Sequence, residues 1–232
     1  MKIKNNLLVV FVLIVASCSD ANKSTNLEVS LHDKPLLEVQ IQPRPLPNPN
    51  KNAYYGDLHV HTENSFDAYT FGTISTPADA YKYAQGYPIQ HPSGYLIQLS
   101  RPLDFYAVTD HGIFMGLMKE AADTTSKFSQ YEFTKPLHNL NESAGMGFFS
   151  LIKRQGLFKP FGEEVRAGLE DGSIDLSLIL EVGRTVWQKT IKAADDAYVP
   201  GTFTTFAAYE YTPSLDLYNN YLHRNVIFKD TK

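Results

Sequence analysis

In the stretch at residues 54–73, "YYGDLHVHTENSFDAYTFGT", His59 and His61 stand one residue apart among apolar neighbours. On a strand, side chains two positions apart leave the same face about 7 Å apart along the backbone, so imidazoles spaced this way can converge on one metal ion. An isolated pair of this kind reads equally well as two ordinary surface or core histidines. Three further places favour the metal. "TDHG" at residues 109–112 sets Asp110 and His111 where a second apolar run stops, the end at which α/β barrels and sheets carry functional groups. Glu210 ends the apolar run "FTTFAAYE", where a carboxylate is expensive to bury without a partner. His223 opens a further run and is followed by Arg224 and Asn225. Nitrogen and oxygen donors without thiolate suit Zn, Mn or Fe.

These side chains need a frame to hold them. Residues 54–60 and 103–108 read as strands, and the second is apolar on both faces apart from Asp104, as in a parallel sheet. Between them, Thr76 as N-cap, Pro77 at the first helical position, Asp79 three residues after the cap and Gly86 as a stop predict a short helix. "HPSG" from His91 predicts a hairpin tip before "YLIQLS". Residues 113–198 lack an obvious strand, and helices are predicted around 147–155 and over 176–197. The apolar stripe of the second, Trp187 included, reads as core packing rather than as a ligand site. Strands are predicted again from Thr202 and from Tyr221. Strand, long helical excursion and strand argue for an α/β sheet with its chemistry at the strand ends.

Residues 1–18, "MKIKNNLLVVFVLIVASC", join a basic start to an apolar run far shorter than the ~20 residues that span a bilayer, which marks an export signal. "VASC" resembles the lipobox of bacterial lipoproteins. The resemblance implies lipidation of Cys18, the only cysteine, and, with Ser19 next, an outer-membrane lipoprotein facing the periplasm that touches the membrane only through its anchor. Residues 19–50 read as a flexible linker, with four prolines between Pro43 and Pro49 making a semi-rigid spacer. The folded part spans residues 51–232. With 43% hydrophobic and 12% aromatic residues the chain can bury a core. A net charge of −4 without basic clusters among the aromatics argues against nucleic acid as a partner.

"DLHVHT", "TDHG", Glu210 and His223 together resemble the PHP superfamily, named for polymerase and histidinol phosphatase domains. More narrowly, "NAYYGDLHVHTENSFDAYTFGT", "TPADAYKYAQG", "RPLDFYAVTDHG" and "LHRNVIF" resemble a functionally uncharacterised family of exported bacterial PHP-like proteins. The resemblance implies a distorted (β/α)7 barrel around two or three divalent ions. It also implies hydrolysis by a metal-bridged hydroxide, with a small-molecule phosphate ester as the substrate class. Carried over by position, it makes His59 and His61 ligands of one ion, His111 a ligand of another, Glu210 a bridge or cap and His223 a further ligand. Asp67 falls where many such enzymes place another ligating histidine or acid. Asp57 and Asp110 are candidates to accept the other N–H of a ligating imidazole, and Asp110 for a direct catalytic part. A turn or cap role is the alternative for both aspartates. Arg224 is read as a clamp on a phosphate oxygen, with a surface salt bridge as the alternative.

The superfamily closes its site with a late acidic or amide residue two positions before a histidine, and no histidine follows His223. Residues 51–232 also fall short of the ~250 typical of a full β/α barrel. The expectation is therefore an incomplete barrel, truncated before its last metal motif and inactive as it stands. An amidohydrolase-type hydrolase and a non-catalytic ligand-binding surface lipoprotein are the alternatives.

Overall fold

The computed structural model describes residues 38, 46–142, 148–213 and 222–230. The leader, Cys18 and most of the linker lie outside the described residues, so the lipid anchor has no structural counterpart here. Among the described residues no helix is long and apolar enough to cross a membrane.

Three short strands, β1 (Gly56–Asp57), β4 (Phe105–Tyr106) and β5 (Thr204–Thr205), form a parallel sheet in the order β1-β4-β5. Gly56 permits the first pairing, because a Cβ there would run into the Phe105 carbonyl oxygen. Between β1 and β4 lie α1 (Phe66–Thr70), α2 (Pro77–Ala84) and an antiparallel hairpin of β2 (Ile89–Gln90) and β3 (Leu96–Ile97). The predicted start of α2 is a full capping box. The Thr76 hydroxyl accepts from the Asp79 N–H, and the Asp79 carboxylate accepts from the Thr76 N–H.

After β4 the chain forms α3 (Leu117–Ala122), two 3-10 turns (Phe128–Gln130 and Glu132–Leu137), α4 (Phe148–Asp171) and α5 (Leu176–Ala197). The predicted span of α5 matches. Helix α4 runs well beyond the expected 147–155, because Phe161 and Val165 continue to bury against Phe66, Leu117 and Phe128. Gly116 introduces α3 with φ of +76°, and a Cβ there would stand 2.6 Å from Val186 Cγ2. A second core lies between α2, α5 and the parallel sheet, from Tyr81, Ala84, Tyr106, Val108, Ala194 and Phe203. Trp187 packs on Tyr209 and Phe228 at 5.9 and 5.8 Å between ring centres, in keeping with its expected packing role.

The last segments are β6 (Ala208–Tyr211) and β7 (Arg224–Ile227), paired antiparallel with Glu210 opposite Asn225 and Tyr211 opposite Arg224. The chain is thus a mixed α/β fold with small sheets, and its described strands do not close a barrel.

The strands are shorter than expected, and each interruption has a cause. The N–H groups of Ala107 and Thr109 donate to the carbonyls of Asp57 and Val60, so two steps on one strand face three on the other. The extra residue is a bulge at Leu58 and His59. Its loose groups are held by side chains: Asp57 Oδ1 accepts from the His59 N–H, and Asn225 Nδ2 donates to the Leu58 carbonyl. The run expected as one strand from Thr202 divides into β5 and β6, because it changes partners midway. His111 nevertheless pairs with Glu210 at the same offset that joins Phe105 to Thr204.

Candidate metal centre

Five pieces of chain meet at one end of the parallel sheet. The bulge after β1 delivers His59 and His61, the first turn of α1 delivers Asp67, and the extension of β4 delivers His111. Strands β6 and β7 bring Glu210 and His223.

Glu210 stands at the centre and is 2% exposed. One of its oxygens, Oε2, lies 2.8 Å from His61 Nε2 and 3.3 Å from both His59 Nε2 and His111 Nδ1. The other, Oε1, lies 2.7 Å from His223 Nδ1. Asp67 spans the remaining gap, with Oδ1 3.3 Å from His61 Nδ1 and Oδ2 3.3 Å from His111 Nε2. Three overlapping groups result: His59, His61 and Glu210; His61, Asp67 and His111; His111, Glu210 and His223. In each, one ligand atom per residue lies within 4.8 Å of the others. The floor is dry, since His111 is 4% exposed and the Phe66 ring lies 4.8 Å from its imidazole. The mouth is open at His59, whose side chain is 61% exposed, and at His223.

The electrostatics follow from this crowding. Burial alone would raise the Glu210 pKa, yet His111, His61, His59 and His223 outweigh it and hold the group below the usual carboxylate range. Burial likewise opposes ionisation of Asp67, but hydrogen bonds and charge from His111 and His61 draw its pKa far down. Burial also disfavours the charged form of His61. The Asp67 hydrogen bond and the charges of Asp67, Glu210 and Asp110 prevail, and its pKa is raised. Two carboxylates therefore stay ionised in a half-dry pocket whose cationic partners are all imidazoles. A set of nitrogen and oxygen donors around buried negative charge could hold a metal ion. The Asn225 side chain adds a buried Oδ1 with no hydrogen-bond partner. It stands on the face of β7 that Glu210 occupies on β6, as cross-strand partners do.

The structure brings together His59, His61, Asp67, His111, Glu210 and His223, all six of the expected ligands. It places three other candidates elsewhere. Asp110, expected beside a ligating imidazole or in the chemistry, is fully buried and turned to the loop after the bulge. Its Oδ1 accepts from Thr62 N at 2.6 Å and Ser65 Oγ at 2.9 Å, and its Oδ2 from Thr62 Oγ1 at 2.6 Å. Burial pushes its pKa up against those hydrogen bonds. Asp57 caps the bulge, the turn role left open for it. Arg224 pairs across the strands with Tyr211 and lies over that ring at 5.0 Å, so strand alternation puts it on the face opposite Glu210, away from any phosphate held there.

Residues not anticipated are Thr62 and Ser65, which tie the loop to Asp110, and Thr212, whose Oγ1 lies 2.6 Å from His111 Nδ1. The polar turn "HTENS" could have suggested the first two. Nothing in the local sequence marks Thr212, because its partner is 101 positions away.

Residues 48–232 match the family model described as "Protein of unknown function (DUF3604)", and the chain belongs to that family. No curated protein and no solved structure matches it.

Proposed function

We propose that this member of the family is a metal-dependent hydrolase of small-molecule phosphate esters, built on part of a distorted (β/α)7 wall of the PHP type. The observation that carries the reading is Glu210, a buried carboxylate ringed by four imidazoles. A buried anion whose only partners are imidazoles, side chains that bind as neutral ligands as readily as they carry charge, is well placed to take a further cation. The sequence resemblance supports the same conclusion.

Two or three divalent ions would be held by His59, His61, Asp67, His111, Glu210 and His223. Such ions lower the pKa of water and offset charge on the attacking and leaving oxygens of a phosphoryl group. The chain's own residues supply the rest. Glu210 and Asp67 stay ionised across the neutral range and so keep the pocket receptive to cations. His111 and Phe66 keep its floor dry, which strengthens every electrostatic interaction above it. His59 and His223 stand at the exposed rim, where a substrate enters. The leader reading adds a lipid anchor on Cys18 and a site at the outer membrane facing the periplasm.

The test begins with the full chain loaded separately with Zn, Mn and Fe, dialysed, and assayed for metal by mass spectrometry. At least one equivalent is expected to remain, Glu210→Gln is expected to lose it, and any turnover by the loaded chain is expected on p-nitrophenyl phosphate rather than on the acetate ester. Less than one equivalent, unchanged in His59→Ala and Glu210→Gln, overturns the metal reading. Firm metal without turnover of either ester leaves the inactive, incomplete site expected from the sequence and the binding-protein alternative.

A further inference from the structure

The buried pair of His111 and Thr212 carries a consequence for how the donors are divided. His111 has both ring nitrogens engaged: Nδ1 lies 2.6 Å from Thr212 Oγ1 and 3.3 Å from Glu210 Oε2, and Nε2 lies 3.3 Å from Asp67 Oδ2. A neutral imidazole carries one proton and one lone pair, so only one of these nitrogens can ligate. The partner of the other decides which.

Thr212 is 8% exposed, and its hydroxyl also lies 3.4 Å from the Glu210 carbonyl oxygen. A carbonyl only accepts, so a hydroxyl that donates to it keeps its oxygen lone pair for an N–H on His111 Nδ1. That places the imidazole lone pair on Nε2, on the Asp67 side.

We propose that Thr212 is the positioning residue that fixes His111 as an Nε2 ligand, assigning it to the cation held with His61 and Asp67. This rests on the reading of the cluster as a metal centre. With Nδ1 protonated, His111 does not serve the neighbouring group through the nitrogen nearest Glu210. That group keeps Glu210 and His223 as its protein donors and faces the exposed rim. The Asp67 group is then the closed one, with three protein donors on a dry floor. The Glu210 and His223 group is the open one, where an exchangeable ligand such as water or a substrate oxygen completes the coordination.

The experiment uses the full chain, labelled with 15N-histidine and loaded with Zn, in wild-type, Thr212→Ser and Thr212→Val forms. Nitrogen NMR is expected to show His111 Nδ1 carrying a proton and Nε2 metal-bound in the wild type and in Thr212→Ser. Thr212→Val, nearly the same shape but unable to accept, should lose about 10- to 100-fold in Zn affinity, the usual effect of removing such a partner. Circular dichroism spectra and melting of the metal-free variants check that each folds. If Thr212→Val does not fold, the Nδ1 proton in the wild type and Thr212→Ser still decides the matter. A wild type that binds Zn with His111 Nδ1 as ligand overturns the inference, as does a folded Thr212→Val with unchanged affinity. A wild type that binds no Zn overturns the metal reading itself, a separate result.

Discussion

Asp110 offers the sharpest perturbation. Its carboxylate accepts three hydrogen bonds from Thr62 and Ser65, and all three residues are fully buried. Ser65 Oγ in turn accepts from the His111 N–H at 3.1 Å, so one carboxylate ties the loop before Asp67 to the strand end that presents His111. Hydrogen bonds to a charged group contribute ~1.5–3 kcal/mol each, but they share one acceptor and do not add. Asp110→Ala leaves the buried Thr62 N–H and the hydroxyl protons of Thr62 and Ser65 without their acceptor while relieving the cost of a buried charge. Donors left unsatisfied on burial cost about 1–3 kcal/mol each and do not add fully, so with the relieved charge the net loss is about 2–4 kcal/mol. Asp110→Asn keeps an acceptor for Thr62 N and Ser65 Oγ, turns an amide donor towards Thr62 Oγ1, and should lose about 1 kcal/mol. Urea unfolding of the full chain, with Zn titrations beside it, measures both. The expected order of stability and of Zn affinity is wild type, Asn, then Ala well below. An Ala variant that unfolds at the wild-type urea concentration and binds Zn equally well would refute the positioning role. An Asn variant as stable as wild type but as poor in Zn binding as Ala would show that the charge itself is what the metal needs.

Arg224→Ala should leave Zn affinity unchanged, at a stability cost of ~0.5–1 kcal/mol for the lost contact with Tyr211, and a weakened affinity would show that the guanidinium reaches the site. Gly56→Ala should lower stability by about 1–3 kcal/mol or more, because the new methyl meets the Phe105 carbonyl oxygen at the heart of the β1-β4 pairing; thermal unfolding measures it. The metal-free chain should show opposed pH dependences. Asp67 and Glu210, depressed on folding, contribute stability above their unfolded values near ~4 and lose it as pH falls further. His61, raised on folding, contributes fully below ~6.5 and loses its share as pH rises through its folded value, while Asp110, raised by burial, works in the sense opposite to Asp67. Urea midpoints should therefore decline once pH passes ~6.5, through the folded His61 value, while Zn affinity climbs, because imidazoles bind metal only when deprotonated. Midpoints that keep rising with pH in the metal-free chain would contradict the charge arrangement.

Five of the six donors were legible because each carries a signal in its own segment: an imidazole pair at strand spacing, a polar stop after an apolar run, a carboxylate where burial is costly, a histidine opening a strand; Asp67 came only with the family resemblance. The helix at Pro77 was legible for the same reason, since its cap and stop are local. What escaped was set by distant partners. The bulge at Leu58 and His59 exists because Val60 and Asp57 pair with residues about fifty positions on, and Asn225 closes it from the far end of the chain. Arg224 looked available to a phosphate until the register of β6 and β7 assigned it a face. Thr212 is an ordinary threonine in its own segment and becomes informative only beside His111.

His61 and Glu210 touch although 149 positions separate them. Closing so long a loop has an entropic cost that local structure does not repay, so this contact belongs to the late, topology-limited part of folding. The histidine pair near the start can form with its own strand, but the carboxylate that completes it arrives only when β6 docks beside His111. An ion that recognises the finished cluster alone therefore acts on the equilibrium rather than as an early template, adding about 2.7 kcal/mol at a hundredfold excess over its dissociation constant. If the cluster holds such an ion, cation supply bears on the chain's lifetime: scarcity would lengthen the time spent with Glu210 undocked and the chain open to proteolysis.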